Sequence, residues 1–380
     1  MTAEISDAIA RSPFAALGAS MPILRAILDE KYPAPTPVQA AVLPHGIAGR
    51  DLFACAQTGT GKTAAFVIPI LQRLTAAPRT NKIRALIVTP TRELAAQIAE
   101  RISVYGRYLK ISQVVIYGGV GQRGQELALA RSPDVLVATP GRLLDLMNQR
   151  LVDLSDVRHF VLDEADRMLD MGFVHDVQRI ARAVPRDRQT MLFSATMPKS
   201  IEALASSLLV DPVRVAIEPE VTTAELVDQS VMFVPRAEKR AALERLLRAD
   251  DVSRAIVFTR TKHGASRLSE QLDRAGIVSQ AIHGNKSQGQ RERALASFRR
   301  GETRVLVATD VAARGIDVDA ISHVINFDLP NVAESYVHRI GRTGRAGAAG
   351  RAISFCDRDE RRLLADIERL IRRRIPEYAA

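Results

Sequence analysis

Tryptophan is absent and aromatic residues make up only 4% of the chain, so any core is built mainly from aliphatic side chains. With two cysteines, Cys55 and Cys356, among 380 residues, there is no disulfide framework and no cysteine-based metal site, and a reducing compartment fits best. No stretch approaches the ~18 apolar residues of a membrane span. The opening MTAEISDAIARSPF lacks a basic region followed by an apolar one. The expected location is therefore cytoplasmic, with no membrane contact. Acidic residues are in deficit, 43 against 53 basic ones, giving a formal net charge of +10 and an isoelectric point near 10.0. That balance suits a polyanionic partner whose counterions are released on binding, although membranes and acidic proteins also attract basic chains.

What is present is the mixture of a globular protein, 47% hydrophobic and 25% charged, in a chain longer than the ~100–200 residues of one domain. Two lobes of comparable size are expected. Short apolar runs ending in small or polar residues alternate with helical patterns: RALIVTP (84–90), DVLVATP (134–140), HFVLDEAD (159–166) and QTMLFSAT (189–196). The rhythm returns in RAIVFTR (254–260), TRVLVATD (303–310), SHVINFD (322–328) and RAISFCD (351–357). Buried parallel strands joined by crossover helices read this way. The expected fold class is thus α/β, with lobes 1–214 and 231–380, each a mostly parallel sheet flanked by helices, joined by a polar linker at 215–230 interrupted by Pro219. Ligands of open parallel sheets sit beyond the carboxyl ends of the strands, where this chain carries its Thr, Asp, Glu and Arg residues. Two such edges facing each other would make one cleft. Near the end, 359–375 places Leu363, Leu364, Ile367, Leu370 and Ile371 on one helical face, read as a packing helix with a solvated basic back.

The segment 51–66 combines a strand-like start, a loop from Ala56 through Gln57, Thr58, Gly59, Thr60 and Gly61 to Lys62 and Thr63, and a helical continuation. Loop amides and a helix N-terminus offer unpaired N–H groups to phosphate oxygens, and the glycines allow close approach. Lys62 adds charge for the β and γ phosphates, and Thr63 a hydroxyl for Mg²⁺. Ala56 stands where the strict phosphate-loop pattern has its first glycine. The strand HFVL ends in Asp163, Glu164, Ala165 and Asp166. Asp163 suits a water-mediated hold on Mg²⁺, and Glu164 suits orientation or deprotonation of the attacking water. A helix cap would explain one of these acids, but is uneconomical for three in four residues.

At this point the sequence resembles the DEAD-box family of superfamily 2 helicases, from Phe14 to about Arg345, with the family's motifs in its order. The resemblance implies two RecA-like lobes with an ATP cleft between them, ATP and Mg²⁺ as cofactors, and RNA-dependent ATP hydrolysis that locally unwinds short duplexes. Pro35-Thr36-Pro37-Val38-Gln39 looks like the family's adenine-reading motif, and Phe14 like its isolated base-stacking aromatic. Lys31 departs from the glycine usual there. Pro90-Thr91-Arg92-Glu93-Leu94, Gly118-Gly119 and Thr139-Pro140-Gly141-Arg142 resemble RNA-contacting motifs that grip the backbone without reading bases. Each alone could be an ordinary turn.

Ser194-Ala195-Thr196 resembles the motif tying hydrolysis to strand separation, with Ser194 and Thr196 expected on Asp166; polar capping of the strand end is compatible with that. Phe258-Thr259-Arg260-Thr261 and the run from Thr309 to Asp317 look like motifs IV and V. Arg260, Thr309 and Arg314 fall on RNA-binding positions and Asp317 on a ribose contact. Gln290 to Arg293 fits an element read as a structural bridge. His338 to Arg345 matches motif VI, with Arg345 the expected arginine finger, Arg342 also on the phosphates and His338 in interlobe coupling. Segments 161–173, 258–265 and 281–290 resemble the bacterial RhlE-type group. The implied partners are single-stranded RNA and short RNA duplexes bound largely regardless of sequence, with ribosome-assembly or RNA-decay proteins as candidates, and the implied form is a monomer. A DNA translocase and a non-enzymatic ATP-gated RNA clamp remain as alternative readings.

Overall fold

A computed structural model describes residues 11–57, 59–217, 227–310, 318, 321–344 and 350–378. The chain divides into two compact units, Met1–Glu218 and Pro219–Ala380. The first contains strands β1 (Leu52–Cys55), β2 (Ala85–Val88), β3 (Gln113–Ile116), β4 (Val135–Ala138), β5 (His159–Leu162), β6 (Gln189–Ser194) and β7 (Val213–Ala216). They form one sheet in the order β3-β4-β2-β5-β6-β1-β7, every pairing parallel. The second contains β8 (Val227–Phe233), β9 (Ala255–Phe258), β10 (Ser279–Ile282), β11 (Val305–Ala308), β12 (His323–Asn326) and β13 (Gly350–Cys356). Their order is β10-β11-β9-β12-β13-β8, again all parallel.

Parallel neighbours require crossovers, and helices supply them on both faces. Alternation along each strand then feeds two apolar layers. On β2, Ala85 and Ile87 enter the layer holding Phe66, Ile98 and Phe193. Leu86 and Val88 enter the opposite layer with Leu143, Phe160 and Ile180. On β9, Ala255 and Val257 face one layer while Ile256 and Phe258 face the other. Side chains are thereby committed within the sheet, and the carboxyl ends of the strands are left to carry polar groups.

Set beside each other, the sheets match strand for strand: β1 to β6 occupy the places of β8 to β13, and the first unit adds β7 beyond β1. The matching extends to the loops. Thr89 N donates to Ala138 O at 3.0 Å, and Thr259 N to Ala308 O at 2.9 Å. The expected linker 215–230 is shorter than its sequence suggested. Residues 215 and 216 lie in β7, which pairs with β1, and 227 to 230 lie in β8, which pairs with β13. The C-terminal helix runs Arg361–Ile371, with Leu364 and Ile367 buried, whereas Leu370, expected on the packed face, is 41% exposed.

Candidate active site

The carboxyl edge of the first sheet is divided between two sets of groups. Strands β5, β6 and β1 are neighbours, and they lead into the acidic run, Ser194 to Thr196, and the phosphate loop. Strands β3, β4 and β2 form the other half and lead into Gly118-Gly119, Thr139 to Arg142, and Pro90 to Arg92.

In the phosphate loop, Gly59 and Gly61 have φ of 85° and 92°, backbone that a side chain would strain. Gly61 caps the helix Lys62–Ala76. A Cβ on Gly61 would meet the Gln39 amide, so a side chain there would displace Gln39 as well as strain the backbone. Ala56, absent from the positive-φ residues, continues the β1–β6 ladder by donating its N–H to Ser194 O at 3.0 Å, which is why no glycine is needed there. The Lys62 ammonium is buried and donates to Ala56 O at 2.6 Å. Thr63 follows in the helix's first turn, and Thr60 donates its hydroxyl to Gln57 O at 2.7 Å. Thr58 lies outside the described residues.

Asp163 is 3% exposed, and its backbone N–H donates to Val88 O at 3.0 Å. Burial pushes its carboxyl up to about 7, against the pull of Lys62 and helped by Glu164 and Asp166. A buried oxygen donor whose charge is so poorly supported, within reach of the Lys62 charge, fits a hard divalent cation. Among the described residues no group of three or more His, Cys, Asp and Glu could hold a metal alone. Glu164 has a left-handed backbone, φ 54° and ψ 53°, and its carboxylate pairs with the Arg167 guanidinium. Asp166 Oδ2 accepts from Ala195 N at 3.1 Å, Thr196 N at 3.0 Å and Thr196 Oγ1 at 3.0 Å. The expected Ser194 contact is replaced by that Ala195 amide, because the Ser194 hydroxyl donates to Thr196 O at 2.6 Å.

Both adenine-site candidates are buried. Phe14 is 2% exposed within the apolar layer that holds Ile23, Val38 and Val42, so its ring is a core element rather than an open stacking face. Gln39 is also buried; its Oε1 accepts from Thr36 N at 3.0 Å and its Nε2 donates to Gly61 O at 3.2 Å. It braces the phosphate loop. Lys31, where the resembled family usually has glycine, takes φ 57°, the conformation glycine adopts freely.

On the other half of the edge, Thr91 caps the helix Arg92–Tyr105 by accepting from Leu94 N at 3.4 Å. The Arg92 guanidinium lies against the bare Cα of Gly119, whose φ is 73°, so these two motifs meet. Arg142 donates to Val120 O at 3.4 Å and lies 3.6 Å from Asp145; Thr139 and Pro90 are buried.

In the second unit, Thr309 donates its N–H to Ile282 O at 3.4 Å. Arg342 is buried, its Nε donating to His338 O at 3.2 Å. Arg260 is held by Glu360 Oε1 at 2.7 Å and Leu329 O at 3.2 Å. Gln290 closes a capping box with Ser287, its Oε1 accepting from Ser287 N at 2.9 Å, a contact within the first turn of its own helix. Arg314, Asp317 and Arg345 lie outside the described residues.

Sequence reasoning missed Arg339, which is 2% exposed, grips both Asp310 oxygens, and donates to Asn326 Oδ1 at 3.1 Å and Asp328 O at 2.7 Å. From within motif VI it ties the end of β11 to that of β12. Arg167, three residues after Glu164, was legible from helical spacing alone. Lys239 and Glu360, 121 positions apart, left no local signal.

The family model described as DEAD/DEAH box helicase matches residues 36–204, and that described as helicase conserved C-terminal domain matches 238–347. The ATP-dependent RNA helicase DeaD of Escherichia coli (strain K12) is 46% identical over 365 residues, 96% of this chain and 58% of that protein. The chain therefore spans under two thirds of that relative's length. The RNA helicase CrhR of Synechocystis sp. is 44% identical, covering 96% of this chain and 74% of that protein. A structure of S. cerevisiae Dbp5 bound to RNA and ADP BeF3 is 34% identical with a TM-score of 0.85, covering 96% of each chain.

Proposed function

The chain belongs to the DEAD/DEAH box helicase family, and from that premise we propose that it is an RNA-dependent ATPase that locally unwinds short RNA duplexes or remodels RNA and RNA–protein complexes. The observation that carries this reading is the divided carboxyl edge of the first sheet. Phosphate and acidic groups follow β5, β6 and β1, backbone-gripping motifs follow β3, β4 and β2, and Asp166 fastens the acidic run to the loop after β6.

In the mechanism, the loop amides from Gly59 to Lys62 and the Lys62 ammonium receive the β and γ phosphates, the ammonium leaving Ala56 O for them. A divalent cation, held by Thr63 and Asp163 when bound with ATP, supplies neutralisation of phosphate charge. Glu164 takes the proton of the attacking water once Arg167 releases it, and the strained backbone fixes where that carboxylate points. Gln39, Phe14 and Asp317 complete the nucleotide site, with Phe14 coming to the base only if its segment moves. Arg342 and Arg345 reach the phosphates when the units close on RNA, an arginine finger that contributes ~10³–10⁵ in rate in other phosphoryl-transfer enzymes. RNA lies along Pro90 to Arg92, Gly119, Thr139, Arg142, Arg260, Thr309 and Arg314, contacted through its backbone. If both ligands favour closure, each tightens the other's binding.

Segments 161–173, 258–265 and 281–290 support placement in the bacterial RhlE-type group. Two free cysteines support a cytoplasmic setting, and no helix among the described residues is long and apolar enough to cross a membrane. A monomer is the simplest form of this mechanism, and ribosome-assembly or RNA-decay proteins are its expected associates.

The test is the ATPase rate with and without single-stranded RNA, against single-stranded DNA, for the native chain and Glu164→Gln. RNA-selective stimulation that the substitution removes supports the reading. Equal stimulation by DNA points instead to a DNA translocase, and RNA binding without turnover to an ATP-gated clamp.

A further inference from the structure

We propose that Glu360 is a positioning residue for the RNA grip, presenting Arg260 to a phosphate from below; this deepens the function proposed above and rests on it. Glu360 is 4% exposed and lies at the start of the C-terminal helical segment, 100 residues beyond Arg260. Both of its oxygens are fully used. Oε1 accepts from Arg260 Nη2 at 2.7 Å and Leu329 N at 3.1 Å. Oε2 accepts from the Lys239 ammonium and from Asp357 N at 3.3 Å. Asp357 returns the contact, its Oδ1 accepting from Glu360 N at 3.2 Å, so the carboxylate is locked in a reciprocal cap.

The consequence falls on Arg260. Its backbone N–H donates to Asp328 Oδ2 at 2.9 Å, and only Nη2 of its guanidinium is engaged, by Glu360 and Leu329 O. Nε and Nη1 have no partner among the described residues, and the side chain is 39% exposed. A planar fork anchored through both Nη2 hydrogens has lost its rotamer freedom before a ligand arrives, and an Nη1 or Nε hydrogen is left to donate to a single phosphate oxygen. A lone buried carboxylate here would repel that phosphate. Lys239, 1% exposed, sits 3.3 Å from Asp357 Oδ2 and beside Glu360, so two acids and two bases balance and the outward edge keeps its attraction. Because Glu360 closes the short turn Arg358–Glu360 and stands at the N-cap of Arg361–Ile371, the C-terminal helix is fastened to the RNA grip through one side chain.

The experiment measures RNA-stimulated ATPase of the full chain as a function of RNA concentration for native protein, Glu360→Gln, Arg260→Ala and the double variant. Glu360→Gln is expected to raise the RNA concentration for half-stimulation about tenfold, with kcat at saturating RNA and the RNA-free rate unchanged. The double variant should be no worse than Arg260→Ala, because a positioning residue has nothing left to position. If the losses add, or if folded Glu360→Gln keeps native half-stimulation, Glu360 is structural only and the proposal is overturned. Should Glu360→Gln misfold around the stranded Lys239 charge, Lys239→Met/Glu360→Gln restores the charge balance and carries the same comparison. Native protein without RNA stimulation would instead sink the function on which the proposal rests.

Discussion

The two units carry their strands in one order, yet the lysine that opens the helix after the leading strand has opposite surroundings in each. After β1 it is Lys62, whose ammonium rests on a neutral carbonyl, Ala56 O. After β8 it is Lys239, whose ammonium is enclosed by Glu360, Asp357 and Phe327 O. A carbonyl surrenders a lysine to an arriving phosphate at small cost. A buried carboxylate with a partly buried one beside it does not, because separating them from the lysine leaves charge in a largely dry interior. One fold thus appears twice, once with its phosphate position open and once with it filled by the chain's own acids.

Exchanging the fates of these lysines is the strongest way to break the comparison. Lys62→Ala should lower kcat for ATP roughly 100-fold or more while changing thermal stability little. Lys239→Met should do the reverse, costing about 3–5 kcal/mol in urea unfolding, with nucleotide affinity of the remaining folded protein unchanged. Equal effects on activity would end the distinction. A smaller loss awaits Arg339→Lys, since a lysine cannot hold both Asp310 oxygens, Asn326 and Asp328 O at once. About 2–3 kcal/mol of stability should go, measured by unfolding.

Acid sensitivity sharpens the contrast further. His159 and His323 open β5 and β12 at matching register, opposite Ala85 and Ala255. Burial lowers both; His159 falls to about 4 despite its bond to Gln189, while for His323 the nearby Asp251 carboxylate works against the fall. A histidine depressed in the folded state binds fewer protons there than when unfolded. Its contribution is complete above the unfolded value of 6.5 and is lost as pH falls towards about 4. His159→Gln should therefore flatten the pH dependence of unfolding between those limits by about 2 kcal/mol, and His323→Gln by less. The smallest effect belongs to a feature the units share. Lys31 and Arg372 follow helices with φ of 57° and 53°, and glycine at either should raise stability by about 0.5 kcal/mol, read from the shift in melting temperature.

The strands that escaped the sequence reading are β3, β7, β8 and β10, and all four are sheet edges. Interior strands such as β2, β4, β9 and β11 are buried along their whole length and read as unbroken apolar runs. Edges are covered on fewer sides, so Ser279 to Ile282 and Val227 to Phe233 keep Gln, Ser and Asp, and look like loop. That is how a linker came to be drawn over β7 and β8. At the site, groups following interior strands were legible because chemistry and position coincide there. The surroundings of Phe14, Gln39 and Arg260 were not, since a residue type tells what it can bond to and not what the fold has already given it.

Strand spacing in the first sheet has one more consequence. Neighbouring strands lie about 4.8 Å apart, so the middle of the β5-β6-β1 half is held three strands, roughly 14 Å, from the middle of the β3-β4-β2 half. The sheet is a ruler that neither ligand can stretch without breaking its ladder. A small molecule seated over one half would leave the other physically accessible, so inhibitors of hydrolysis that still permit RNA to dock, and the converse, should be separable chemical series.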